Sequence, residues 1–67
     1  MIKITINGEE KSFDGTLSVK ELIEEVGLDM RKVAIERNLE IVSRSDYEGV
    51  ELQDGDNLEI VHFIGGG

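Results

Sequence analysis

The sequence must hold itself together with hydrophobic packing alone, because 67 residues contain no cysteine. That excludes disulfides, thiolate metal sites and cysteine nucleophiles. Ordering the chain costs on the order of 100 kcal/mol at about 1.5 kcal/mol per residue, so nearly every apolar side chain has to serve one shared core. A chain of this size forms one small domain and has no room for a large internal active site. Fifteen acidic residues against seven basic ones give a formal charge of −8. Nucleic acids and anionic membranes reward clustered Lys and Arg, so neither is the expected partner, and a partner basic at its contact is. The start Met1-Ile2-Lys3-Ile4 lacks the plan of a signal peptide, and no apolar run reaches the roughly 18 residues of a membrane span. A soluble, cytoplasmic protein is the expectation.

The apolar periodicity sets the elements. Ile2, Ile4 and Ile6 alternate with Lys3, Thr5 and Asn7, the period of a half-buried strand. Asn7-Gly8 suits a type I′ hairpin turn, since both residues tolerate positive φ, and a second strand then spans Glu9 to Phe13. Ser18 and Glu21 form a capping-box pattern, and Val19, Leu22, Ile23 and Val26 make one helical stripe closed by Gly27. Lys32 to Arg37 reads as a third strand with Val33 and Ile35 facing the core, and Ile41-Val42 as a short fourth. The polar stretch Ser43 to Gly49 reads as irregular, with the Tyr47 ring in the core and its hydroxyl at the surface. Asp54-Gly55-Asp56-Asn57 is a turn signal, and Leu58 and Ile60 alternate through a last strand. This order predicts an α+β fold of the β-grasp, ubiquitin-like kind: a mixed sheet of four to five strands on one helix. The domain is expected over residues 1–63, with a flexible glycine tail over 64–67.

Catalytic inventories come up short. There is one histidine, no Gly-rich phosphate loop between strand and helix, and no carboxylate or histidine pair at metal-ligand spacing. His62, at the end of the last strand, reads as a packing or rim residue, and Asp54 and Asp56, flanking a glycine, read as a turn. The odd feature is His62-Phe63-Ile64-Gly65-Gly66-Gly67, a strand that runs directly into three glycines. Glycine carries the largest ordering entropy and packs nothing, so this is an expected thread without structure of its own. Such a thread can enter a narrow cleft and present the Gly67 carboxylate, ionised in the cell with a pKa near 3.5. Reaction with ATP would make an acyl-adenylate, and a sulfur nucleophile could displace AMP to leave a thiocarboxylate. With Ile64 the tail spans about 14 Å at ~3.5 Å per residue, enough to reach a partner's active site.

The segment Asp54 to Gly66, together with Ile2 to Gly8, Leu22-Ile23, Val33 to Asn38, Glu40-Ile41-Val42 and Arg44-Ser45-Asp46-Tyr47, resembles the ThiS sulfur carriers of thiamin biosynthesis along almost the whole chain. That resemblance implies a carrier rather than an enzyme. Its terminal glycine would be adenylated by a ThiF-type adenylyltransferase using ATP and a sulfur donor, and its thiocarboxylate would supply a ThiG-type thiazole synthase. The carrier itself would bind no cofactor or metal, and alone would be a monomer. Gly66 and Gly67, after Gly65, would correspond to the diglycine end with Gly67 bearing the sulfur, and one extra glycine precedes or follows the expected pair. Leu39 stands where such carriers suggest glycine, and Ser43 where they suggest proline.

Strand alternation places Val61 and Phe63 on the sheet face away from the helix, beside Ala34. With Ile64 and Leu39 they are the candidate partner contacts, and Glu36 and Glu59 would steer a basic rim toward them. Two other readings share much of this pattern. A MoaD-like carrier would supply molybdopterin synthesis with the same tail chemistry, and a ubiquitin-like binding module would use only its sheet face.

Overall fold

A computed structural model describes residues 1–63 of the chain. Strands β1 (Ile2–Ile6), β2 (Glu9–Phe13), β3 (Val33–Arg37), β4 (Glu40–Val42) and β5 (Asn57–His62) form one mixed sheet in the order β2-β1-β5-β3-β4. Helix α1 (Val19–Glu25) crosses one face. This is the β-grasp architecture, with β1 and β5 running parallel at the centre and the other pairings antiparallel.

The local chemistry explains most of the elements. Asn7 and Gly8 adopt φ of 50° and 84°, and Ile6 pairs directly with Glu9, which makes the two-residue hairpin. Ser18 and Glu21 satisfy each other's backbone N–H groups at 3.1 and 2.8 Å, a complete capping box. Gly27 takes φ +80° just beyond the helix. A seven-residue helix is too short to persist alone. It persists because Val19, Leu22 and Ile23, all fully buried, meet Ile4, Ile35 and Leu58 from the sheet.

Three expectations need correction. Lys32 belongs to a 3₁₀ turn, Met30–Lys32, capped by the Asp29 side chain, so β3 begins at Val33. Within the stretch read as irregular, Arg44–Asp46 is a second 3₁₀ turn. The Tyr47 hydroxyl is not at the surface: the whole residue is buried, and the hydroxyl donates to the Val33 carbonyl at 3.3 Å. An unpaired hydroxyl would be costly there, and the end of β3 supplies the acceptor.

The core therefore lies entirely between helix and sheet. Leu52, from the loop before β5, closes one side of it and is fully buried. The opposite sheet face carries no helix among the described residues, and that asymmetry positions the candidate site.

Candidate functional site

β5 is held from both sides. Against β1 the parallel ladder pairs Thr5 with Asn57 and Ile6 with Leu58. The Asn7 side chain then extends it as a backbone would, its amide donating to the Ile60 carbonyl at 3.1 Å while its oxygen accepts from the Ile60 N–H at 2.7 Å. Against β3 the antiparallel ladder runs from Arg37↔Leu58 to Val33↔His62, and the Phe63 N–H donates to the Lys32 carbonyl at 2.7 Å. The strand is thus fixed up to Phe63, two positions before Gly65 in the sequence.

Alternation along this strand sends Leu58 and Ile60 into the core and Val61 to the open face, opposite Ala34. Val61 is 58% exposed and Phe63 47%, large apolar side chains presented to water at the root of the tail. Ile41, on β4, is 80% exposed; its neighbour across the ladder is Glu36. Between Ala34, Ile41 and Val61 lies a notch of about 70 Å³, bordered by Glu36 and Glu59.

Leu39 sits at the other end of this face. It is the second central residue of the β3–β4 turn, 84% exposed, with φ +71°, and Asn38 before it has φ +51°. Because β3 and β5 are antiparallel, this turn lies at the end of the ladder away from Phe63. The ladder between them spans about 13 Å, four steps at ~3.3 Å each, and Leu39 and Phe63 lie beyond its opposite ends. The structure therefore brings Val61 and Phe63 together and leaves Leu39 apart. Ile64, Gly65, Gly66 and Gly67, and with them the proposed tail and its carboxylate, lie outside the described residues.

Two features of the candidate site escaped the sequence. Ile41 had been read only as a strand residue; its placement opposite Glu36 was available from alternation once the β3–β4 turn was set at Asn38-Leu39. Asp56, read as a turn residue, is buried and organises the base of β5. Its carboxylate accepts from Arg37 Nε at 2.8 Å, Asn38 Nδ2 at 3.1 Å and the Gln53 N–H at 2.8 Å. Burial pushes this carboxyl up, but the bonds from Gln53, Arg37 and Asn38 outweigh burial and hold it below the ordinary value.

A larger, shallow groove of about 300 Å³ runs along β4 past Arg37, Val42, Ser43 and Asp46. Val42 and Val50 line it and pack against the core, so it is the unfilled margin of that core rather than a cleft with converging reactive groups. Among the described residues, no three His, Cys, Asp or Glu side chains group to hold a metal ion. No described helix is long and apolar enough to cross a membrane. His62 is exposed at the end of β5, a rim residue.

Comparison with known proteins places this geometry. The ThiS family model matches residues 4–67. The chain is 38% identical to the sulfur carrier protein ThiS of Bacillus subtilis, over 96% of this chain and 98% of that protein. It is 58% identical over 66 residues to a thiazole synthase of Paramagnetospirillum magneticum, and 44% identical over 66 residues to one of Magnetococcus marinus. It covers 98% of itself but only 20% of each of those two proteins, so the chain spans about one fifth of the length of these relatives. The crystal structure of the thiamine biosynthesis protein ThiS from Geobacter metallireducens superposes with a TM-score of 0.83 at 32% identity, over 98% of this chain and 100% of that one. With the same β-grasp, and a family match that runs through the glycine segment, the chain belongs to the ThiS family.

Proposed function

We propose that this domain is a sulfur carrier for the thiazole moiety of thiamin, and that Gly67 bears the sulfur. A ThiF-type adenylyltransferase joins the Gly67 carboxylate to the α-phosphate of ATP and releases pyrophosphate. A sulfur nucleophile then attacks the acyl carbon and AMP leaves, so the carboxylate becomes a thiocarboxylate. A ThiG-type thiazole synthase takes the sulfur into its substrate, and an oxygen from that substrate or from water replaces it to restore the carboxylate. In this reading the chain is a co-substrate rather than a catalyst, has no bound cofactor, and works in the cytoplasm as a monomer. Residues 1–63 form its body and 64–67 its reactive tail.

One observation carries the reading: β5 is pinned from both sides as far as Ile60 and by the β3 side as far as Phe63, and only Ile64 separates Phe63 from Gly65-Gly66-Gly67 in the sequence. A partner that seats Val61 and Phe63 of the open face, and contacts Ile64 next in the sequence, thereby aims the glycines. A tail of about 14 Å, at ~3.5 Å per residue, then reaches inside the partner while the body stays out. Leu39 adds an apolar contact at the far end of the face. The relatives named sulfur carrier and thiazole synthase favour the thiamin pathway over the MoaD-like alternative.

The test is to incubate the chain with ATP, a sulfide donor and a ThiF-type adenylyltransferase, and to weigh its C-terminal peptide. Exchange of one oxygen for sulfur confined to Gly67 is the expected result. No adenylate and no exchange, beside an active control carrier, would leave the sheet-face binding module as the better reading.

A further inference from the structure

Glu36 and Glu59 stand directly opposite one another in the β3·β5 ladder, both exposed on the face away from the helix. Like charges in this position destabilise a sheet. Among the described residues neither carboxylate is in an ion pair; those formed are Lys20–Glu48, Arg31–Asp29 and Arg37–Asp56. The notch of about 70 Å³ between Ala34, Ile41 and Val61 opens beside them. The isolated domain is therefore at a disadvantage twice over at one spot, with two carboxylates repelling and apolar side chains in water.

One kind of occupant relieves both. A lysine or arginine lays its aliphatic stem along apolar surface and keeps its charged head at the end. Arginine is the better fit to two carboxylates, because its planar fork offers several donors to both at once. Resting on the carrier reading, we propose that the notch is a socket for a cationic side chain, arginine above all, on a thiazole synthase. Its stem lies between Ile41 and Val61, and Glu36 and Glu59 close on its head.

The choice of partner follows from the relatives. In the two thiazole synthases a segment homologous to this whole domain is part of the same polypeptide as the remaining four fifths, so the two bodies are tethered at high effective concentration. A second copy of the domain fits poorly. Its formal charge is −8, so two copies repel each other.

The experiment titrates the 67-residue chain against purified thiazole synthase and follows Kd, kon and koff. The double variant Glu36→Gln/Glu59→Gln empties the socket of charge. Glu24→Gln/Glu25→Gln, on the exposed face of α1, removes the same charge elsewhere. The socket variant is expected to bind at least about tenfold more weakly through a faster koff, whereas the control changes less than about threefold and mainly in kon. The socket variant's Tm should equal or exceed the parent's, since a repulsion is removed, so the loss is not unfolding. Equal losses in both variants would reduce the pair to general charge steering and overturn the proposal. So would unchanged binding, a loss confined to the adenylyltransferase, or a parent that self-associates through the same carboxylates. Thiocarboxylate on Gly67 is weighed in parallel, so failure of the carrier reading shows there and failure of the socket shows in koff.

Discussion

Asp56 ties the base of β5 to the β3–β4 turn, through Arg37 on β3 and Asn38 in the turn itself. Its side chain is 8% exposed, so an unpaired charge left there would be costly. Because its carboxyl lies below the ordinary value of 3.8 in the folded protein, the folded state holds the ionised form more strongly than the unfolded chain does. The resulting stability is fully present above about pH 4, the unfolded value, and is lost as pH falls through the folded one. Asp29, held at about 2 by its hydrogen bonds to Arg31, also titrates in acid, but it is exposed and common to parent and variant. Asp56→Asn turns an amide toward donors that need an acceptor, and should cost about 2–3 kcal/mol at pH 7. Urea unfolding at pH 7 and at pH 3 checks this: the gap between variant and parent should narrow in acid. A gap that is constant with pH would mean that the charge contributes nothing. No sequence pattern signals this role, since Asp-Gly-Asp-Asn describes an exposed turn equally well and the partners of Asp56 lie 19 and 18 residues away.

At the scale of elements, the β3–β4 hairpin works against its own sequence. Arg37 pairs with Glu40, so Asn38 and Leu39 alone make the turn and both take positive φ. Asparagine tolerates that region; for leucine it costs about 1–2 kcal/mol. Leu39→Gly relieves the strain but gives the unfolded chain more freedom, about 0.5–1 kcal/mol in the other direction. The balance predicts a gain of about 0.5 kcal/mol, a rise in Tm of roughly 2–4 °C. If Leu39 is a partner contact, the same variant binds thiazole synthase less tightly while melting higher; a lower Tm would refute the strain argument. Elements of this kind were legible because their causes are local: alternation for the strands, Asn7-Gly8 for the first hairpin, and Ser18 with Glu21 for the helix start. Short turns without apolar periodicity, and contacts between distant residues, were not. The Met30–Lys32 and Arg44–Asp46 turns are linked by the Arg44 side chain, which donates to the Arg31 carbonyl. Leu52 reaches the core because its N–H is fixed to the Leu17 carbonyl. The Tyr47 hydroxyl finds its acceptor across the fold, on Val33.

The whole molecule divides its apolar residues between two tasks. One face of the sheet spends Ile2, Ile4, Ile6, Ile35, Leu58 and Ile60 on the core with α1. The other leaves Ile41, Val61 and Phe63 in water on a body whose formal charge is −8. The alternation that predicted Val61 and Phe63 on the open face follows from β5 being a two-sided strand, whereas the notch beside Val61 required the register of three strands at once. If the open face only covers itself, replacing those side chains changes little; if it docks, their burial drives association. Full burial of such a side chain is worth about 1.5–3 kcal/mol, and Val61 and Phe63 start roughly half buried, so together they should contribute about 2 kcal/mol to docking. Val61→Ser/Phe63→Ser is then expected to raise KM for the carrier in adenylation by about 30-fold, with kcat little changed because the glycines are intact. Its Tm should fall only slightly, since neither side chain belongs to the buried core. A variant adenylated with the parent's KM would show that the enzyme recognises the tail alone and that the apolar face serves another contact.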